Sequence, residues 1–447
     1  MSNPELHVIV GLGVTGLSCA RYLRERGIKI AITDTRLNPP HLAALKQMYP
    51  DVPVAMGEIN ASLLDKATSI ILSPGVALRE PLIARQIERG IPVIGDIELF
   101  ARTVKVPVIA ITGTNAKSTV TTLVGKMAEE AGYNVQVGGN LGIPALDLLS
   151  NNPSTNLFVL ELSSFQLETT YSLKPRVATV LNVSPDHMDR YEDVLDYQRA
   201  KYRVYQNCQM AVCNRDDPLT ECNDKTLQKK IYFTLDVPLA GEFGLLNINN
   251  IVTLAHGDNP LLPVQELPVI GKHYQANALA ALAIGHAFGL PFNPMLKVLR
   301  EFRGLPHRCQ MIRERNGVKW YNDSKGTNVG ATKAAIEGLG SEITGRLVMI
   351  MGGVGKNADF TSLVPAIEKY SRHVVLIGEA AKDIATVLGS RVPVSYASTM
   401  DDAISEAASI ARPEDSVLLS PACASFDMFK NYEHRGQMFI ESVEKLS

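Results

Sequence analysis

The feature that most constrains this chain is a unit repeated along it: a brief apolar strand, a turn rich in Gly, Ser or Asn, then an amphipathic helix. A helix between two strands carries the chain back across the sheet, so the strands run parallel. The repetition therefore predicts α/β domains rather than helical bundles or sandwiches. One series opens at His7-Val-Ile-Val10 and continues through Ile28–Thr33, Thr68–Leu72 and Pro92–Gly95. A second begins at Val106–Thr112 and includes Leu157–Glu161 and Val177–Asn182. From about 230 to 270 the helices drop out, and Ile231–Leu235, Gly244–Ile248 and Ile251–Leu254 are separated only by turns. That spacing predicts a small antiparallel sheet added to the central domain. The Ala/Leu-rich stretch Asn277–His286 is short and contains a histidine, so it reads as a buried helix rather than a membrane one. The alternation then restarts with Val318–Tyr321, Leu347–Met351, His373–Ile377 and Ser416–Ser420. Boundaries near 95 and 304 divide the chain into residues 1–95, 96–304 and 305–447. At about 150 residues per domain, the length leads to the same number of domains.

Composition narrows the function classes. With 46% hydrophobic and 20% charged residues, the chain has enough apolar side chains to fold into ordinary globular cores. Its 44 Lys+Arg against 46 Asp+Glu leave a net charge of −2, which offers no global field for nucleic acid or an anionic membrane. Anionic ligands must then be held by local sites. Six cysteines are too sparse for a disulfide framework, and the cluster Cys208, Cys213 and Cys222 lacks the paired spacing of a zinc site. Reduced thiols are expected. The opening MSNPELHVIV has no basic stretch followed by an apolar core, and no run approaches the ~18 apolar residues of a membrane span. The expected compartment is the cytoplasm.

Gly11-Leu-Gly13-Val-Thr-Gly16 follows a strand and opens a helix, and Asp34 ends the next strand, where an acidic ribose reader is expected. Backbone amides and a helix N-terminus would face a pyrophosphate there. NAD, a UDP-sugar or a ligand-free structural turn all fit this motif, and Ser73-Pro-Gly75 would share its edge of the sheet. A second turn, Gly113-Thr114-Asn115-Ala116-Lys117-Ser118-Thr119, also lies between a strand and a helix. Its amides can cradle phosphates, Lys117 can offset their charge and Ser118 can ligate Mg²⁺. The strict phosphate-loop pattern fails at both glycines, which are Ile111 and Ala116 here, so a capped helix start is the competing reading. Glu161 ends a strand, as an acid that binds Mg²⁺ behind such a loop does, and His187 also follows a strand. Lys201, with tyrosines four residues to either side, reads as a solvated lysine on its own. In the last third, Asn322–Asn328, Gly352–Lys356 and Ser420–Asp427 each follow a strand and are dense in groups suited to phosphate or nucleotide. Three anion-binding edges suit a reaction that joins two substrates using ATP; a hydride transfer would need no second phosphate loop.

These blocks, with Gly95-Asp-Ile-Glu-Leu-Phe100, Gly138-Gly-Asn140, Glu161–Glu168, Asp186-His-Met-Asp-Arg-Tyr191 and Gly304-Leu-Pro-His-Arg308, closely resemble the Mur ligases along essentially the whole chain. The resemblance implies a Rossmann-like N-terminal UDP-binding domain, a central ATPase domain and a Rossmann-like C-terminal domain that rotates to close the site. It implies ATP-dependent addition of D-glutamate to UDP-N-acetylmuramoyl-L-alanine by a monomer, with no nucleic acid and no membrane insertion. By matching motif, Thr15, Asp34, Thr35, Arg36 and Gly75 would hold UDP and Asn140 the muramoyl part. Lys117 would bind ATP phosphates, Ser118 and Glu161 one Mg²⁺, and His187 a second Mg²⁺ together with a CO₂-derived carbamate on Lys201. Asn277, Arg308, Asp323 and Lys325 would handle the nucleotide, and Thr327, Lys356, Ser425 and Tyr432 the D-glutamate. Ala116 stands where the family has a loop glycine, Gly326 where it has alanine, Val354 where an acid is common and Tyr432 where Phe is common. Two other expectations compete: another ATP-dependent amide ligase such as a folylpolyglutamate synthase, and an NAD(P)-dependent dehydrogenase that would leave Gly113–Thr119 without a role.

Overall fold

The computed structural model describes residues 5–151, 153–224, 227, 229–269, 271–356 and 358–446. They gather into two compact units. The first holds the chain up to Asn182 with Leu195–Phe233 and Ala280–Met295; the second holds Val183–Val194, Thr234–Leu279 and the chain from Leu296 onward.

Two sheets lie in the first unit. β1 (Leu6–Val10), β2 (Lys29–Asp34), β3 (Val54–Met56), β4 (Ser69–Leu72) and β5 (Val93–Ile94) form a parallel sheet in the order β3-β2-β1-β4-β5. Val10 faces Thr33 on one side and Leu72 on the other, so the strand order reverses beside β1 and a crevice opens at its carboxyl end. β6 (Val108–Thr112), β7 (Val135–Gly139), β8 (Leu157–Glu161), β9 (Val177–Val180), β10 (Met210–Asn214) and β11 (Lys230–Phe233) run parallel in the order β7-β8-β6-β9-β10-β11. β6 lies between β8 and β9, so the loop after Thr112 also leaves from a point of reversal. β6 and β8 are buried at every residue, which is why they read as unbroken apolar runs.

The strand predicted at Ile231–Leu235 also extends the parallel part of the central sheet: β11 runs parallel to β10, pairing Ala211 with Lys230. The stretch from Asn214 to Lys230 is long enough to cross over and return in the same direction, which a tight turn cannot do.

In the second unit, β12 (Phe243–Ile248), β13 (Ile251–His256) and β14 (Asn259–Pro263) form an antiparallel meander. Its first turn uses Asn249 and Asn250, both at positive φ, as a two-residue hairpin turn demands. The Ala/Leu run lies within the helix Lys272–Phe288, of which the part from Ala280 onward belongs to the first unit, and is buried from Ala278 to Ile284. β15 (Gln310–Arg315), β16 (Val318–Asn322), β17 (Leu347–Gly352), β18 (Ser371–Ile377), β19 (Val394–Tyr396) and β20 (Ser416–Leu419) form the third sheet, in the order β15-β16-β20-β17-β18-β19. Alternate residues feed its two faces: Met349, Leu376 and Leu418 pack on one side, Ile350, Val375 and Val417 on the other. β15, the antiparallel edge, is Gln-Met-Ile-Arg-Glu-Arg, and its polar sequence carries no strand signal until β16 pairs with it. The result is a three-domain α/β architecture dominated by parallel sheets.

Candidate active site

The first glycine turn is sterically obligatory. Gly11 has φ +96°, and a Cβ on Gly16 would lie 2.0 Å from the Gly11 carbonyl oxygen. Gly13 meets nothing within 4 Å, so its free side faces open space at the N-terminus of the helix Val14–Arg24, which has no side-chain cap. That space is a cleft of about 620 Å³, and Thr15, Asp34, Thr35, Arg36, Gly75 and Asn140 all line it. The structure thus brings together every residue expected to contact UDP or its muramoyl part. The volume suits a small-molecule ligand.

Asp34 has a different immediate task from the ribose contact read from the sequence. It is 2% exposed, and its oxygens accept from the amides of Leu12 (2.7 Å) and Arg36 (2.8 Å) and from Nε and Nη2 of Arg36 (2.9 and 2.7 Å). Burial alone would raise its pKa, but the guanidinium and the two amides overcome burial and hold the carboxyl at about 2. Asp34 therefore braces the glycine turn and aims Arg36, whose side chain is half exposed.

At the second turn the backbone keeps the geometry that the sequence pattern lacks. Ala116 adopts φ +67°, the left-handed conformation a loop glycine would take, immediately before the helix Lys117–Glu130. Asn182 clamps the turn: its Oδ1 accepts from the Asn115 amide (2.8 Å), its Nδ2 donates to the Asn115 carbonyl (3.2 Å), and its own carbonyl accepts from the Thr114 amide (2.9 Å). Sequence reading passed over Asn182, although its position at the end of the predicted strand at 177–182 was a usable signal. Lys117 Nζ donates to the carbonyls of Gly113 and Thr114, both at 2.8 Å. Lys201 is not a solvated lysine. It is 1% exposed, its Nζ lies 4.2 Å from the Tyr197 ring centroid, and it donates to the same Gly113 carbonyl at 2.8 Å. Two lysine nitrogens thus converge on one oxygen.

Glu161, at the end of β8, is 2% exposed. Its Oε1 accepts from Asn140 Nδ2 at 2.7 Å, and the Asn140 amide donates to the Glu161 carbonyl at 2.8 Å. Its Oε2 is buried with no hydrogen-bond partner. A buried acceptor left without a donor is costly, and a hard cation would satisfy it, so this end of β8 fits Mg²⁺. Among the described residues there is no group of three or more His, Cys, Asp or Glu able to hold a metal alone. An ion here would need the Ser118 hydroxyl and phosphate oxygens as well, which suits Mg²⁺ bound beside a nucleotide.

The remaining candidates lie in the second unit. His187 takes φ +58°, and its amide donates to Asp186 Oδ1 at 2.9 Å. Asp186 Oδ2 accepts from Asn328 Nδ2 at 3.1 Å, and Lys356 Nζ lies 3.9 Å from Asp186 Oδ1. Asp323 accepts from Ser420 Oγ (2.7 Å) and the Cys309 amide (3.1 Å); burial pushes its pKa up to about 6 against those bonds and nearby Arg308. Lys325 Nζ sits 3.6 Å from the Tyr432 ring centroid, so the residue expected at the nucleotide and the one expected at D-glutamate touch through a cation–π contact. Thr327 lies just before Asn328, which caps the helix Val329–Gly340, while Ser425 is buried and Asn277 half-buried. The departure at Gly326 has a steric reason: a Cβ there would lie 2.6 Å from Asp323 Oδ2 and 2.8 Å from Ser420 Oγ. Arg435, which sequence reading missed, is fully buried and ties the candidate loops together. It donates to Ser324 Oγ (3.0 Å) and to the carbonyls of Ser324 (2.9 Å), Cys423 (3.1 Å) and Ala424 (3.3 Å). Burial lowers its pKa to about 10, which leaves it charged at neutral pH.

Two candidate phosphate turns at two points of strand reversal, a buried acid behind the second turn and a third α/β domain with cationic loops suit a multi-substrate enzyme of the nucleotide-dependent ligase type. Comparison with known proteins agrees. Family models described as the Mur ligase MurD-like N-terminal domain, the Mur ligase middle domain and the Mur ligase glutamate ligase domain match residues 5–95, 111–285 and 307–423. The chain belongs to the Mur ligase family. Curated relatives named UDP-N-acetylmuramoylalanine–D-glutamate ligase from Pseudomonas putida and from Pseudomonas syringae pv. tomato are 51% and 54% identical, covering 100% of this chain and 99% of each relative. The one from Coxiella burnetii is 48% identical over the full length of both. Solved structures share the fold at lower identity. A pseudomurein peptide ligase from Methanothermus fervidus superposes with TM-score 0.64 at 18% identity, covering 99% of this chain and 100% of its own. The UDP-N-acetylmuramate-alanine ligase of Thermotoga maritima does so with 0.61 at 19%, over 99% and 100%.

Proposed function

We propose that this chain joins D-glutamate to the alanyl carboxylate of UDP-N-acetylmuramoyl-L-alanine with ATP, in the cytoplasmic stage of peptidoglycan precursor synthesis. The observation that carries this reading is the cleft of about 620 Å³ that gathers all six UDP-substrate residues and includes Asn140, which is hydrogen-bonded to Glu161. The substrate's reacting end is thereby linked to the acid behind the phosphate turn. One chain supplies every proposed residue, so the reading needs no second copy.

Thr15, Asp34, Thr35, Arg36 and Gly75 hold the UDP portion, with Arg36 braced by Asp34 toward the diphosphate. Lys117 exchanges the carbonyls of Gly113 and Thr114 for ATP phosphate oxygens, and the amides of the turn cradle them. The alanyl carboxylate attacks the γ-phosphorus, the bond to the bridging oxygen breaks, and ADP departs, leaving an acyl phosphate. The D-glutamate amine then attacks the acyl carbon, loses a proton, and phosphate leaves. Mg²⁺, held by Ser118 and Glu161 and in a second site by His187 with carbamate oxygens on Lys201, would neutralise charge on the phosphoryl oxygens. Asn277, Arg308, Asp323 and Lys325 contribute nucleotide contacts, and Thr327, Lys356, Ser425 and Tyr432 position D-glutamate.

The carbamate is proposed because two lysine nitrogens share the Gly113 carbonyl. Loss of a proton from the Lys201 ammonium, addition of CO₂ to the freed amine and loss of a second proton replace one of two crowded cations by an anionic oxygen ligand. Isotopically labelled bicarbonate should give a carbamate carbon signal in the wild type that is absent in Lys201→Arg. The ligase reading is tested with purified protein, Mg²⁺, ATP and UDP-N-acetylmuramoyl-L-alanine. Phosphate should appear on adding D-glutamate and not L-glutamate, and no D-glutamate-dependent release would refute it.

A further inference from the structure

A second cleft in the first unit, of about 870 Å³, lies at the opposite edge of the central sheet from the phosphate turn. It is built where β6 and β9 begin: Val108 opens β6, Arg176 precedes β9, and the Arg176 amide donates to the Val108 carbonyl at 2.8 Å. The phosphate turn leaves from the other end of β6, after Thr112. None of the residues proposed for UDP, ATP, metal or D-glutamate lines this cleft.

Its chemistry is one-sided. Arg102, Lys105, Lys174 and Arg176 line it, and no carboxylate does. Glu98, the acid paired with Arg102, is buried, and its oxygens are taken by Arg102 Nε (2.8 Å), the Tyr171 and Ser172 amides (2.8 Å each) and Ser172 Oγ (2.9 Å). The wall is apolar and aromatic: Tyr133 and Phe288 meet edge to face with centroids 5.4 Å apart. In a chain of net charge −2, four cations around one cleft, of which only Arg102 is paired with an acid, Glu98, among the described residues, are a local concentration of positive charge. The two guanidiniums offer forked donors that match phosphate oxygens, and the aromatic wall offers a surface for a planar body. The volume is that of small-molecule sites.

We infer that this cleft is a second ligand site, separate from the two nucleotide sites, which takes a mononucleotide-sized organic phosphate with a planar apolar body. The body rests against Tyr133 and Phe288, and the phosphate is met by Arg102, Lys105, Lys174 and Arg176. The site does not depend on the ligase reading.

The test uses the full chain with UDP and a non-hydrolysable ATP analogue both saturating, so that the substrate sites are filled. Anilinonaphthalene sulfonate, an aromatic anion, is titrated by fluorescence and then displaced with naphthyl phosphate. The exposed Lys105 and Lys174 are reversed in Lys105→Glu/Lys174→Glu, and thermal unfolding checks that the variant is folded. The wild type should bind the dye saturably and release it to naphthyl phosphate, and the variant should bind it at least about fivefold more weakly. Equal dye affinity in wild type and folded variant, or failure of naphthyl phosphate to displace it, would overturn the proposal. Should the double variant not fold, Lys174→Ala alone carries the same comparison.

Discussion

The two candidate phosphate turns of the first unit are held in place by opposite means. The turn after β1 is held by absence: Gly11 and Gly16 have no room for a side chain, and the helix starts against the freed backbone. The turn after β6 is held by presence: Ala116 sits in a left-handed conformation, and Asn182, Lys117 and Lys201 grip the surrounding carbonyls and amides. A local steric requirement leaves a pattern in the sequence. A turn fixed from a distant strand end can lose its glycine and still hold its shape.

Four changes break or sharpen that contrast, from largest to smallest. Gly16→Ala places a methyl against the Gly11 carbonyl, so denaturant unfolding should show a loss above about 3 kcal/mol, with UDP binding abolished. Asp34 comes next. Its folded pKa of about 2 lies below the ordinary 3.8, so its stabilisation is present above about pH 4 and is lost as pH falls toward 2. Asp34→Asn should cost up to roughly 2 kcal/mol at pH 6, with the difference from wild type shrinking as the pH approaches 2, in parallel urea titrations. Asn182→Ala removes two side-chain hydrogen bonds from the second turn. A loss of about 1–2 kcal/mol is expected, with a raised KM for ATP and an unchanged KM for the UDP substrate. Ala116→Gly relieves the left-handed strain and should stabilise by about 1 kcal/mol, visible as a small rise in Tm. An unchanged or lower Tm would mean that the alanine is better accommodated than its φ implies.

Legibility followed the range of the interaction. Buried parallel strands such as β6 and β8 were readable because helices cover both faces and every residue must be apolar. β15 was not, because its polar edge sequence becomes a strand only through β16, and neither was the parallel pairing of β11 with β10, which depends on a crossover rather than on local sequence. At the site, residues inside glycine-rich or strand-end motifs were found. Asn182 and Arg435 were missed: each acts on backbone groups remote in sequence, reaching Asn115 from position 182 and Ser324 from position 435.

The sequence by itself determined the α/β class, the two strand–turn–helix junctions and the family resemblance, because these depend on periodicity and on steric demands within a few residues. Tertiary structure alone decided that Lys201 is buried on the Gly113 carbonyl, that Asp34 is spent on bracing Arg36, and that Glu161 keeps one oxygen without a protein donor. Burial and hydrogen-bond partners depend on which strand ends converge, and that is a property of the folded sheet rather than of neighbouring residues.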